Sequence, residues 1–393
     1  MTAPLGLEEA QARLLALAPQ LASERIATEA ALGRVLAEDV IAMRTQPPAD
    51  LSAMDGYALS GDAQAWRLVG ESRAGLPYSG VLADGECVRI STGAMVPPGA
   101  DRVLLQEDAR DDNGAITAAP PPPPGPHIRP RGLDFHAEDV LLTRGTRITA
   151  ARLALALAAG HGTLAVTRRA RVVVIDSGDE LSADPAACLP HQIPASNGAM
   201  IAAMLAPLNC EVTRIGPVPD TQAALADALA RAEGADIVIT SGGASVGDHD
   251  LMKPALTEWG AEIAFWKIAI KPGKPLLVAT RGDCVILGLP GNPVSSFVTA
   301  FLFALPLLRA AAGEHDPFAR TQTLRTRVDL PAVGPRREFL RAVEADGEVC
   351  LAGSQDSSAL TALAAADCLI DRPAHSPALP AGEAVRVFNL RNG

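Results

Sequence analysis

Lys271-Pro272-Gly273-Lys274-Pro275 places two ammonium groups on either side of a Pro-Gly turn. Such a turn would aim both at one small cavity, where two cations hold an oxyanion through charge-assisted bonds of roughly 1.5–3 kcal/mol each. Lys267 precedes Lys271 by four residues, a spacing that aligns the two in a helix and in a strand alike. Three further stretches carry related chemistry: Ser177-Gly178-Asp179-Glu180, the run Ser241-Gly242-Gly243-Ala244-Ser245-Val246-Gly247-Asp248-His249-Asp250, and Leu289-Pro290-Gly291-Asn292-Pro293-Val294-Ser295. Glycine lets backbone N–H groups approach an anion, and a helix opening at Pro293 would add its dipole. Glu180, Asp220 and Asp250, with Asp248 as the nearer competitor of Asp250, are carboxylates of the kind that hold a hard divalent cation against phosphates. Asp220 and Asp250 also stand where each would cap a following helix, a role compatible with ligation.

All four stretches follow apolar runs that read as strands of one α/β unit. Runs at 171–176, 210–215, 236–240, 261–269, 276–280 and 284–289 alternate with helical patterns at 196–208, 221–233 and from Pro293 onward. This predicts a three-layer, doubly wound domain with ligands at the carboxyl ends of its strands. Upstream, residues 5–38 carry helix-period apolar positions interrupted by Pro19, and the pattern resumes from Thr28 to about Asp39. A second helix over 149–160, capped by Thr149 and ended by Gly160, would join it in one helical domain. The intervening stretch is β-rich, with 103–106 and 115–118 flanking Asn113-Gly114 as a hairpin, and with the proline run 120–124 as a surface connection. Met54-Asp55-Gly56 reads as a turn with Gly56 at positive φ. From about Pro317, short alternating strands predict a small C-terminal all-β domain. The division expected is 1–46 with 137–168, then 47–136, 169–315 and 316–393.

The chain has 393 residues, a formal net charge of −11, 48% hydrophobic and 3% aromatic residues. That length predicts two to four domains, and that charge disfavours nucleic acid and anionic membranes as partners. The six cysteines form no Cys-x-x-Cys pair and fit no zinc or disulfide framework, which predicts reduced thiols in the cytoplasm. The acidic N-terminus is no secretory signal. The most apolar stretch, 297–308, contains Pro306 and falls short of the ~20 residues that span a bilayer, so a soluble protein is expected.

Taken in order, Ser52-Ala53-Met54-Asp55-Gly56-Tyr57-Ala58, Ser91-Thr92-Gly93-Ala94, Ser241-Gly242-Gly243-Ala244-Ser245-Val246-Gly247, Lys271-Pro272-Gly273-Lys274-Pro275 and Leu289-Pro290-Gly291-Asn292-Pro293 resemble the MoeA and gephyrin E-domain family of molybdopterin molybdenumtransferases. The resemblance runs over essentially the whole chain. It implies four domains, a homodimer with an active site shared across the interface, and the conversion of adenylylated molybdopterin and molybdate to molybdenum cofactor and AMP with a divalent cation, Mg²⁺. It implies that Lys271, Lys274, Pro275 and Ser295 hold molybdate. Ser241, Gly242, Gly243 and Ser245 then cradle the pterin nucleotide, and Glu180, Asp220 and Asp250 lie near it and its cation. Lys267 cooperates with Lys271, and the partner subunit supplies Asp55 and Thr92. From the C-terminal domain the family draws an Arg and a Ser; Arg337 and Ser357 are the leading choices, against Arg336, Arg341 and Ser358. An upstream molybdopterin adenylyltransferase and downstream molybdoenzyme chaperones are the partners implied. A lone adenylyltransferase or a competence-damage pyrophosphatase would share the α/β unit but not the Asp55 module. A pure scaffold would not need complete site motifs.

Overall fold

The computed structural model describes residues 4–208, 210–242 and 251–390. Its central sheet has six strands in the order Glu211–Val218, Arg171–Ser177, Ile237–Ser241, Cys284–Leu289, Leu277–Arg281, Glu262–Trp266. The first four run parallel and the last two are antiparallel to their neighbours. Strand Arg171–Ser177 is apolar almost throughout because both of its faces are covered. Val172 and Val174 pack with Ile201, Leu205, Val298 and Phe301, while Val173 and Ile175 pack with Leu225, Leu229 and Leu256.

The helix that begins at Pro293 is long, as its sequence suggests. Pro293–Thr299, a π-turn over Ala300–Ala304 and Leu305–Ala311 form one 19-residue stretch with mean hydropathy 1.7. By length and composition alone it is apolar enough to cross a membrane, yet 89% of it is buried inside the fold. Pro306 has no N–H to give the carbonyl one turn back. That carbonyl, Leu302 O, instead accepts a bond from Gln11 Nε2 at 2.8 Å. Gln11 belongs to helix Leu7–Leu15, whose Leu7, Ala10 and Leu14 are buried in the same core.

Residues 28–39 are not helical. A strand, Ser23–Ala27, pairs antiparallel with Thr163–Thr167, followed by a single 3₁₀ turn, Thr28–Ala30, and Gly33 at φ +75°. Ala31, Leu36 and Val40 reach their core, with Ile148, Ala156, Leu164 and Val166, from an irregular chain held by that strand pair. Helical spacing of apolar residues does not produce an α-helix there, because tertiary pairing outweighs a short periodic pattern. The second helix, Ala150–Ala158, is capped as expected: the Thr149 side chain accepts from the Arg152 amide, and Gly160 follows at φ +105°. It packs in this smaller core and the first helix in the α/β core.

The β-rich stretch forms a six-stranded sheet ordered Arg102–Leu105, Gly56–Leu59, Glu86–Ile90, Trp66–Ser72, Ala115–Thr117, Arg110–Asp112. Asn113 and Gly114, at φ 52° and 88°, do make a two-residue hairpin. Two residues oblige Asp112 to pair with Ala115, so the partner strand is Arg110–Asp112 and not the expected 103–106. Gly56 lies within a strand, without positive φ; a β-carbon there would overlap the carbonyl oxygen of Leu104.

Strands Arg337–Ala345, Glu348–Leu351, Thr321–Thr326, Ala384–Asn389 and Cys368–Arg372 close into a small barrel, because the first pairs with the last. The C-terminal part is not wholly β: helix Leu360–Ala365 lies within it. None of the six cysteines forms a disulfide, and burial pushes the Cys87 thiol up to about 12.

Gly56→Ala tests the strand packing. With backbone on the opposing side, the sheet must part, and we expect a loss of about 3 kcal/mol, read as a lowered urea midpoint. An unchanged midpoint would show that this sheet yields locally.

Candidate active site

The carboxyl ends of the parallel strands open onto a cavity of about 760 Å³, whose wall includes Asp176, Glu180, Asp220, Ser241, Gly242 and Ser295. A second cavity of about 350 Å³ is lined by Lys271, Lys274, Arg336, Glu338 and Ser357. Pro275 and Ser295 line both, so the two adjoin.

The lysine loop is fixed by its own backbone. Lys267 N donates to Leu276 O and Ile268 N to Lys274 O, pinching residues 268–274 into a compact loop. Gly273 stands near its tip at φ +103°, and a β-carbon there would meet Thr299 and Ile270 side chains at 2.6 and 3.1 Å. The two-residue strand Ile270–Lys271 then joins the barrel in parallel, Ile270 opposite Arg337 and Lys271 opposite Glu338. Lys271 Nζ bonds Glu338 Oε1 at 2.9 Å. The barrel also reaches the N-terminus of the long helix: Val294 N donates to Ser357 O, and Asn292 Nδ2 to Ser357 Oγ at 3.2 Å. Ser295, nearly buried in the first turn of that helix, sits where the dipole favours an anion.

In the larger cavity the acids are crowded. Thr221, not Asp220, caps helix Gln222–Arg231 by accepting from the Ala224 amide, which leaves the Asp220 carboxylate unspent. Burial first, and then the neighbouring Asp179 and Glu180 carboxylates, hold the Asp220 carboxyl above its ordinary value. Such mutual repulsion suits a divalent cation. Among the described residues no three His, Cys, Asp or Glu side chains converge to hold a metal ion by themselves. A cation beside Asp220 and Glu180 would therefore take further oxygen ligands from elsewhere. Gly242, at φ +96°, has no room for a side chain against Ser177 O. Gly243, Ser245, Asp248 and Asp250 lie outside the described residues.

A family model for the MoeA N-terminal region (domain I and II) matches residues 5–160, one for a probable molybdopterin binding domain matches 173–310, and one for the MoeA C-terminal region (domain IV) matches 323–390. The molybdopterin molybdenumtransferase of Haemophilus influenzae is 35% identical over 396 residues, with 98% of each chain covered. That of Bacillus subtilis is 31% identical, covering 99% of this chain and 94% of its own. The chain belongs to the molybdopterin molybdenumtransferase family. A crystal structure of a molybdopterin biosynthesis MoeA protein from Pyrococcus horikoshii has the same fold, with a TM-score of 0.85 at 25% identity over 98% of this chain and 100% of that one.

Several expected residues of this molybdenumtransferase lie elsewhere than the cavities. Arg337 is turned away from the lysines: it forms a two-pronged pair with Asp371 at 2.6 and 2.7 Å and also bonds Glu8. Successive residues of a strand face opposite sides, so Glu338 lines the lysine cavity while Arg337 does not, and Arg336 enters that cavity just ahead of the strand. Arg341 is buried and donates to the carbonyls of Ser354 and Asp356, thereby shaping the loop that presents Ser357 and Ser358. Ser358 lines the larger cavity and Ser357 the smaller. Lys267, at φ 72°, sets its ammonium 4.5 Å from the Trp266 ring centre and lines neither cavity. Asp55 and Thr92 bond each other at 2.6 Å (amide) and 3.0 Å (hydroxyl), which holds the Asp55 carboxyl below its ordinary value, and neither lines these cavities. Sequence reasoning missed Glu338 and Asp176. An acid opposite Lys271 was discoverable only with the barrel register in hand.

Two arginines side by side give a clean comparison. Arg337→Ala strips Asp371 of its two-pronged partner and should cost about 3 kcal/mol of stability while leaving oxyanion affinity intact. Arg336→Ala should do the reverse. Glu338→Gln removes a carboxylate that occupies Lys271, and molybdate should bind about 3- to 10-fold more tightly by calorimetric titration. Weaker binding would make Glu338 a support for the lysine, not its competitor.

Proposed function

We propose that the two adjoining cavities carry out molybdate insertion: adenylylated molybdopterin and molybdate enter, and molybdenum cofactor and AMP leave. The observation that carries this reading is the segregation of charge across the shared Pro275–Ser295 wall. On one side two lysines and an arginine outnumber the Glu338 and Asp356 carboxylates beside a helix N-terminus, a positive balance suited to a compact dianion. On the other are glycine-lined strand ends and crowded carboxylates, suited to a pterin nucleotide and a cation. Lys271, Lys274 and Arg336 bind and orient molybdate, and Ser295 and Ser357 offer hydroxyls to its oxygens. Ser241 and Gly242 face the nucleotide substrate. Mg²⁺ held by Asp220 and Glu180, with Asp250 as a further ligand, would neutralise the diphosphate when bound.

Asp55 and Thr92 belong in this reading to the partner subunit's site. Their setting supports it: the pair is exposed, and Met54 and Met95 beside it are each 42% exposed, an apolar rim of the kind that subunit contacts cover. Lys267 joins them as a residue acting from outside the two cavities. The four-part division at 1–46 with 137–168, 47–136, 169–315 and 316–393, a cytoplasmic location, and exchange with an adenylyltransferase and molybdoenzyme chaperones complete the proposal. The net charge of −11 supports its expected indifference to nucleic acid and anionic membranes.

Release of AMP from adenylylated molybdopterin, followed against molybdate concentration, is the decisive measurement. Lys274→Ala should raise the half-saturating molybdate by roughly 10- to 150-fold, with the fold retained, since an exposed loop lysine contributes little packing. Release that is equally fast without molybdate, or an unchanged molybdate dependence in the variant, would refute the assignment. Mixing Asp55→Ala with Lys271→Ala protein under subunit exchange should restore part of the activity if the site spans two chains, and none if it does not.

A further inference from the structure

Asp176 ends the apolar run of strand Arg171–Ser177 and forms part of the wall of the larger cavity, yet none of the expected site residues accounts for it. Its side chain is only 5% exposed. The local backbone is built around it. The pairing with strand Glu211–Val218 slips between Ile175 and Ser177, so that Asp176 sits at a β-bulge, the irregularity that re-aims a side chain at a sheet end. A β-carbon on Gly198 would overlap Asp176 Oδ2, and one on Gly216 would meet the Asp176 carbonyl oxygen at 2.5 Å. Oδ2 faces the Gly198 amide, in the first turn of helix Asn197–Leu205, and Arg214 at 3.6 Å. Oδ1 is screened from bulk solvent and has no hydrogen-bond partner among the described residues. A buried acceptor left unpaired is destabilising, and burial accordingly pushes this carboxyl up. A serine or an apolar residue would end the strand without that penalty, and Oδ1 keeps an acceptor capacity that no described residue uses.

We propose that Asp176 Oδ1 accepts a hydrogen bond from a ring-edge N–H of the pterin, making Asp176 a specificity-determining residue of the larger cavity. The inference rests on the reading of that cavity as the pterin nucleotide site. A carboxylate repels phosphate and rewards only donors. The pterin edge presents a ring N–H and an exocyclic amine side by side, whereas the adenine amine lies between two ring nitrogens that are acceptors and would face the carboxylate unfavourably. Leu181, Ile193 and Pro194 line the same cavity and supply apolar surface against a flat ring.

The test is calorimetric titration of the full-length protein with 6-hydroxymethylpterin phosphate, AMP and molybdate in turn, for wild type, Asp176→Asn and Asp176→Ser. Both variants should bind the pterin phosphate about 10- to 100-fold more weakly, with AMP and molybdate unchanged. Both variants remove the buried charge, and the AMP and molybdate titrations of the serine variant report that the fold stands even if the asparagine variant is unstable. Pterin binding as tight as wild type in the variants overturns the assignment of Asp176 alone. An equal loss for AMP overturns it too, because the carboxylate would then serve the nucleotide or the fold. Wild type that binds AMP and molybdate but no pterin phosphate overturns the reading of the cavity, and this inference with it.

Discussion

Residues 267–271 carry backbone hydrogen bonds to separate parts of the chain at once. Leu5 N donates to Lys267 O, Ala269 N to Leu5 O, and Arg337 N to Ala269 O. The N-terminal segment, the α/β unit and the barrel thus meet on one short segment that ends in the strand Ile270–Lys271. The position of the ammonium group depends on all three. The Lys271–Glu338 bond and the pair of half-buried Arg337 with buried Asp371 lie on opposite faces of the same barrel strand, so one register fixes both. A slip of one residue would exchange the faces, placing Arg337 in the cavity and burying the Glu338 carboxylate without its lysine.

The long buried helix sets the opposite wall. Its N-terminus lies at the cavities, its middle is packed on all sides, and the carbonyl that Pro306 leaves unpaired is taken by Gln11. Ser295 therefore projects from an element with little freedom, as the proposed oxyanion site would require. The same burial explains why a helix of membrane-like composition belongs to the interior of this fold: helix Leu7–Leu15 and the apolar strand faces surround it, not lipid.

Much of the α/β unit was legible in the sequence because its strands are buried on both faces and so read as unbroken apolar runs at 171–176, 236–240 and 284–289. The lysine loop was legible because Pro272-Gly273 marks a turn whatever surrounds it. What escaped was set by pairing between distant segments. Residues 28–39 show helical spacing, yet their route is dictated by strand Ser23–Ala27 meeting Thr163–Thr167, some 140 residues away. The choice of Arg336 over Arg337 turns on barrel register, and the same ignorance hid Glu338. Asp176 reads as the end of a strand, and only the absence of a partner for Oδ1 among the described residues gives it meaning. Gly56 was seen as special for the wrong reason, since close approach to Leu104 and not positive φ excludes a side chain.

Charge is distributed in this molecule by short range, not by net balance. A chain with net charge −11 gives an approaching dianion no long-range help, and at physiological ionic strength fields fade within roughly 8 Å. In the proposed reading, affinity for an oxyanion is generated inside the cavity lined by Lys271, Lys274 and Arg336 beside a helix N-terminus, over a few ångströms. Glu338 moderates this: it keeps Lys271 paired at 2.9 Å while no anion is present, so the lysine is neither free to swing into solvent nor left without a counter-charge. On the far side of Pro275 and Ser295 the sign reverses, with Asp176, Glu180 and Asp220 facing the larger cavity. A ligand that fits both must be anionic and compact at one end and, at the other, rich in N–H donors or accompanied by a cation. In the proposed reading that polarity sets the direction in which a two-part substrate lies across the wall, independently of any single contact.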